Sequence, residues 1–152
     1  MSELVYILNG PNLNLLGQRE PETYGRLTLA DIEARCRTEA ERLGLAIDFR
    51  QRNGEGELVE DIHDAIGNGA AAIIINAAAY THTSVALHDA LRLLGAPVIE
   101  LHLSNPAARE RIRQTNYIAP VATACICGFG ATGYEMAVTA ALQIAKPLAQ
   151  SQ

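Results

Sequence analysis

Ala70-Ala71-Ala72-Ile73-Ile74-Ile75-Asn76 is an unbroken apolar run that stops on an amide side chain. No polar residue alternates through it, so a strand here is covered on both faces, as in a parallel sheet with a helix layer on each side. Working outward, 4–8 and 98–101 have the same character and end at Asn9-Gly10-Pro11-Asn12 and His102, and 121–127 supplies a fifth strand. Leu45, Ile47 and Phe49 alternate with Ala46, Asp48 and Arg50, the pattern of an edge strand with one wet face. Helical spacing fills the intervals. Leu29, Ile32, Cys36, Ala40 and Leu43 follow a start at Thr28 and precede Gly44. Leu58, Ile62, Ala65 and Ile66 follow Asn53-Gly54-Glu55-Gly56 and end near Gly69. A further helix begins near Thr83 or Ser84 and closes at Gly95-Ala96-Pro97. Ser104-Asn105-Pro106 reads as the start of a helix reaching about Thr115, and 134–149 as a terminal helix.

Five strands alternating with helices imply an α/β three-layer sandwich with a five-stranded parallel sheet and right-handed crossovers. With the second strand at an edge, the flavodoxin-like order 2-1-3-4-5 fits best. In such sheets ligands bind beyond the carboxyl ends of the strands where the order reverses, which here points to the loops after strands one, three and four.

The chain has 152 residues, 49% hydrophobic, with 12 Lys and Arg against 17 Asp and Glu, a formal net charge of −5. That suits one domain over 1–152 with a full core and no staples. An acidic balance and 5% aromatics argue against nucleic acid as a partner. No apolar run approaches membrane-spanning length and no signal segment is visible, so a cytoplasmic protein with no membrane contact is expected. Cys36, Cys125 and Cys127 match no zinc or C-x-x-C spacing and read as reduced core residues.

The three loops concentrate polar chemistry. The first, over 9–27, is too long for a simple connector and carries Asn9, Asn12, Asn14, Arg19, Glu20 and Tyr24. The second carries Asn76, Tyr80, Thr81, His82, Thr83 and Ser84, and the third Glu100, His102, Ser104 and Asn105 with Arg109 and Arg113 beyond. A strand-end histidine is more often structural than catalytic, and the arginine pair could simply be a solvated face with Glu110 or Asp89. Convergence favours function. Backbone amides at Leu103, Ser104 and Asn105 would open a helix and favour an anion. Tyr24 is a weak base unless a cation such as Arg19 stabilises its phenolate. His63 and His88 fall mid-helix and read as surface residues. Gly128-Phe129-Gly130-Ala131-Thr132-Gly133 matches a dinucleotide fingerprint, but only a helix follows it, so it reads as a tight turn with close helix packing. The only lysine is Lys146, far from these loops, which disfavours an imine mechanism.

Asn9-Gly10-Pro11-Asn12-Leu13, Gly17-Gln18-Arg19-Glu20-Pro21 and Tyr24-Gly25 resemble the opening of type II 3-dehydroquinate dehydratases. So do Asn76 with Tyr80-Thr81-His82-Thr83-Ser84, Glu100-Leu101-His102-Leu103-Ser104-Asn105, Arg109-Glu110 with Arg113, and Gly128-Phe129-Gly130 with Gly133-Tyr134. The resemblance spans nearly the whole chain. It implies loss of water from 3-dehydroquinate to give 3-dehydroshikimate, through an enolate, in the shikimate pathway. It also implies that Tyr24 is the base, supported by Arg19, that Asn12 steadies the enolate, and that His102, oriented by Glu100, is the general acid. Leu103 and Ser104 would take the substrate carboxylate, and Asn76, His82 and Arg113 the ring hydroxyls. Family members assemble as trimers stacked into dodecamers, with Asp89 reaching a neighbouring site, and no cofactor or metal is implied. The chain departs from the family at Ala78, usually Gly, at Ala107, commonly His, and at Gln114-Thr115-Asn116, usually a His-rich stretch with serine. A flavodoxin-like small-molecule binding protein and a catalytically degenerate relative are the alternatives.

Overall fold

The computed structural model describes residues 2–18, Glu22 and 26–145. Strands β1 (Leu4–Asn9), β2 (Ala46–Gln51), β3 (Ala72–Asn76), β4 (Val98–His102) and β5 (Ala124–Cys127) form one parallel sheet in the order β2-β1-β3-β4-β5. This is the expected order. The α-helices are α1 (Leu29–Leu43), α2 (Glu55–Gly67), α3 (Val85–Arg92) and α4 (Thr132–Ala145).

Period-two alternation divides the strand side chains between two cores. Val5, Ile7 and Ile74 pack with Ile32 and Cys36 of α1 and Ala137 and Val138 of α4. Tyr6, Leu8, Ile73 and Ile75 face Leu58 and Ile62 of α2 and Leu87 and Leu91 of α3. Each buried aliphatic side chain contributes about 1.5–3 kcal/mol relative to exposure, so the central strands hold the fold together. The α1 start is a capping box: Asp31 N–H donates to Thr28 Oγ1 at 3.1 Å and Thr28 N–H to Asp31 Oδ2 at 3.0 Å. Ser84 caps α3 by a single bond, accepting from the Leu87 amide at 2.9 Å.

The structure corrects several expectations. The helix foreseen from Ser104 to about Thr115 is instead two short 3-10 segments, Pro106–Ala108 and Arg111–Gln114, separated by an extended Arg109 (φ −106°, ψ −173°). The only large aliphatic residue in the stretch, Ile112, is exposed, so no apolar stripe exists to hold a longer helix on the sheet. The Gln114 amide also donates to the Pro106 and Arg109 carbonyls, at 2.8 and 3.1 Å, which a continuous helix would use itself. Of the cysteines only Cys36 is buried; Cys125 is exposed and Cys127 half-buried, because β5 is an edge strand and they lie on the face opposite α4. His63 is exposed as expected, but His88 is half-buried and holds the Tyr117 carbonyl through Nδ1 at 2.7 Å.

The polar face of β2 is engaged rather than wet. Arg50 reaches Asp48 and Asp61 at 2.8 Å and Asp64 at 2.6 Å, and its guanidinium lies 5.0 Å from the Tyr6 ring centre. Asp61 is buried on α2 and also takes Arg52 at 2.9 Å. Arg50→Met keeps most of the packing but leaves Asp61 with one cation, so it should lower unfolding stability by about 2–3 kcal/mol, below the full cost of an unpaired buried charge. Urea denaturation at pH 7 checks this; a loss below about 0.5 kcal/mol would place the network among ordinary surface ion pairs.

Candidate active site

The carboxyl ends of β1, β3 and β4 open on a cleft of about 170 Å³. It is lined from the first loop by Pro11, Asn12, Leu13 and Leu16, and from the second by Asn76, Ala78, Ala79 and His82. His102, Leu103, Ser104, Pro106, Arg109 and Arg113 close it from the third.

The floor is braced from α4. Asn9 and Asn76 end adjacent strands in register, and the buried Tyr134 hydroxyl sits between them, donating to Asn9 Oδ1 at 2.6 Å and accepting from Asn76 Nδ2 at 3.0 Å. Burial pushes the Tyr134 phenol well above its ordinary value, so it remains a neutral donor. Tyr134 gets there because Gly133 lets α4 close on the sheet: a Cβ at that position would meet Leu101 Cδ1 at 3.1 Å. The fingerprint-like glycines thus form a turn and a helix contact, as read. A second close approach ties the first two loops, since a Cβ on Gly10 would lie 2.4 Å from the Ala77 carbonyl oxygen.

Asn12 has left-handed backbone geometry (φ +69°), which Asn tolerates better than most residues, and its amide N–H donates to Asn53 Oδ1 at 3.0 Å. Ala78 does the same at φ +52° with less excuse, its N–H donating to Asn76 Oδ1 at 3.2 Å. An L-residue with a Cβ loses about 1–2 kcal/mol in that region, so Ala78→Gly should return about 0.5–1 kcal/mol and raise the melting temperature by a few degrees. Calorimetry checks it; an unchanged or lower melting temperature would mean that the methyl group's packing outweighs the strain.

His82 is set by a carbonyl. Its Nδ1 lies 2.7 Å from the Thr115 oxygen, which can only accept, so Nδ1 carries a hydrogen and, in the neutral ring, Nε2 is the acceptor nitrogen. On β4, Glu100 and His102 are two residues apart and so share a face, with His102 Nε2 2.5 Å from Glu100 Oε2. Glu100 is fully buried, and burial, the largest single influence, raises its carboxyl; hydrogen bonds from His102 and Asn116 outweigh this and hold it below its ordinary value. The carboxylate is therefore charged near neutral pH and faces the His102 ring. Among the described residues Nδ1 of His102 makes no hydrogen bond to the chain. Its ring is aimed by a charge behind it and lines the cleft in front.

The anion-binding end differs from its expected form. No α-helix follows Ser104, so a carboxylate there would meet individual amides and the Ser104 hydroxyl rather than a helix dipole. Arg109 Nη1 donates to that hydroxyl at 3.3 Å, and Arg113 Nε to Glu110 at 2.9 Å. Asp89 is exposed on α3 and does not line the cleft. Arg19 and Tyr24 lie outside the described residues. Two residues in the site appear in sequence motifs but were given no role there. Tyr134 had a visible signal, the one aromatic residue of α4, directly after a glycine turn; Asn116 stood out only within a departing stretch, and nothing local marked its partner 16 residues away. Among the described residues no His, Cys, Asp or Glu group could hold a metal ion, and no helix is long and apolar enough to cross a membrane.

Residues 3–142 match the family model described as dehydroquinase class II. The chain belongs to that family. A 3-dehydroquinate dehydratase from Hyphomonas neptunium is 61% identical over 144 residues, covering 95% of this chain and 96% of the relative. The 3-dehydroquinate dehydratase 2 of Pseudomonas aeruginosa is 56% identical over 138 residues, covering 91% and 93%. Among solved structures, a type II dehydroquinase from Propionibacterium acnes superposes with a TM-score of 0.89 at 41% identity, covering 93% of this chain and 98% of that one. The class II dehydroquinase sheet and its flanking helices are thus those described here.

Proposed function

We propose that this chain eliminates water from 3-dehydroquinate to give 3-dehydroshikimate, as a type II 3-dehydroquinate dehydratase of the shikimate pathway. The observation that carries the reading is the buried Glu100 carboxylate aiming His102 into a cleft formed where the strand order reverses. The Tyr24 phenolate, favoured by Arg19, takes a proton from C2 beside the ketone. The electron pair moves onto the ketone oxygen, and Asn12 stabilises that enolate. Collapse of the enolate expels the C1 hydroxyl, which leaves as water with a proton from His102. The Leu103 and Ser104 amides and the Ser104 hydroxyl bind the substrate carboxylate. Asn76, His82 and Arg113 hold the ring hydroxyls; the Nε2 acceptor of His82 suits a hydroxyl that donates.

The single domain works without metal or organic cofactor and within a dodecamer built from trimers in the cytoplasm. In that assembly the exposed Asp89 reaches the cleft of a neighbouring copy. Neither a flavin-type binding protein nor a degenerate relative is favoured: Asn9-Gly10-Pro11-Asn12 is a poor phosphate loop, and the acid dyad is intact.

Incubating chelator-treated, borohydride-treated protein with 3-dehydroquinate tests the reading by the ultraviolet absorbance of the conjugated enone and by the new vinyl proton in NMR. Conversion to 3-dehydroshikimate is expected to survive both treatments. A folded, assembled protein that leaves the substrate unchanged contradicts it.

A further inference from the structure

Asn116 lies in the segment that joins the third loop to β5, and both ends of its side chain are committed. Oδ1 accepts the N–H groups of Ile118 at 2.8 Å and Ala119 at 2.9 Å. This fixes the orientation of the amide, since a flipped group would set its NH2 against two donors and its oxygen against a carboxylate. Nδ2 donates to Glu100 Oε2 at 2.6 Å, the same oxygen that meets His102 Nε2. The backbone behind it is tied down on both sides: His82 holds the Thr115 carbonyl, Tyr117 N–H donates to the Thr81 carbonyl at 2.8 Å, and His88 holds the Tyr117 carbonyl.

We propose that Asn116 is the positioning residue of the general acid, clamping the Glu100 carboxylate in the orientation that presents Oε2 to His102. The inference rests on the reading of His102 as proton donor. Without the amide, Glu100 would be a buried carboxylate bonded to His102 alone. Its Oε1 has no hydrogen-bond partner among the described residues. Such a group rotates or takes up a proton rather than stay charged. Among the described residues, the sheet places no other charged group beside the pair. In register, Glu100 is flanked by Ile75 on β3 and Cys125 on β5, and His102 by Cys127. The Cys125 thiol, although on the exposed face of β5, is raised by partial desolvation of its sulfur and then by the Glu100 charge, and is neutral at physiological pH.

The test compares kcat and KM on 3-dehydroquinate for wild type, Asn116→Ala and Asn116→Ser, with Asn116→Ala repeated in a Glu100→Gln background. Nitrogen-15 NMR follows the His102 ring against pH in the free proteins. Serine keeps a short acceptor for the Ile118 and Ala119 amides but does not reach Glu100, so it separates the turn from the clamp. Loss of a hydrogen bond to a charged group predicts that kcat falls about tenfold in both single variants, with KM changed less than about twofold. In the Glu100→Gln background Asn116→Ala should change kcat by less than about twofold, because the two residues act as a unit. The pH at which Glu100 takes up its proton, sensed at His102, should rise. Unchanged kcat in both variants, or the same fractional loss with and without Glu100, overturns the proposal. If wild type itself shows no turnover, the functional reading fails, and the clamp is decided by NMR alone: an unmoved Glu100 midpoint in Asn116→Ser overturns it.

Discussion

His102→Ala is expected to lower kcat on 3-dehydroquinate by about 10²–10⁴-fold, the usual contribution of a positioned proton donor. Hydroxide is a poor leaving group from a tertiary carbon beside an enolate, so removing its proton source slows the step that expels it. The substitution also removes the principal support of Glu100. In the native protein the Glu100 carboxyl is held below 4.5. Its contribution to stability is therefore complete above pH 4.5 and is lost as pH falls through the lower folded value. In His102→Ala burial is opposed by Asn116 with only the Cys125 thiol beside it, the carboxyl rises, and that acid-side contribution shrinks. Melting temperatures of the two proteins should therefore diverge most near neutral pH and converge below pH 4.5. A variant that retains kcat within tenfold removes His102 from the chemistry.

Tyr24→Phe is expected to reduce kcat by at least about 10²-fold while leaving substrate affinity near that of wild type, because it deletes one oxygen and little volume. The base and the acid contribute at opposite ends of one elimination, so either loss alone stalls the same net reaction. A phenol is protonated at neutral pH unless a cation stabilises its anion, which makes Arg19→Met a milder version of the same defect with an optimum displaced to higher pH. Steady-state kinetics from pH 6 to 10 separate the cases. Full activity in Tyr24→Phe would require another base in the cleft.

The sheet order was legible because Ile73-Ile74-Ile75 and its neighbouring runs are apolar on both faces while Leu45 to Arg50 alternates, and that contrast identifies the interior strands and the edge. The cleft followed from the order. What the pattern of residues hid was tertiary in origin. Ser104-Asn105-Pro106 is a sound helix start by its local chemistry, yet Ile112 points away from any core and the helix has nothing to pack against. Cys125 reads as core because it sits in an apolar run, but the run lies on an edge strand with that face uncovered. Asn116 acts through a partner on another element, and a single polar residue carries no mark of such a partner in its neighbours along the chain. Ala78 was visible as a departure from a family pattern, and the structure adds its cause for concern: a left-handed backbone carrying a methyl group.

The most direct measurement is a side-by-side determination of kcat and KM on 3-dehydroquinate for wild type, Tyr24→Phe and His102→Ala, with folding and assembly verified for each. Wild type is expected to form the enone, and each variant to lose at least about 10² in kcat with KM changed only a few-fold. Turnover in either variant within tenfold of wild type, or none in a folded wild type, contradicts the assignment of base and acid to these two residues.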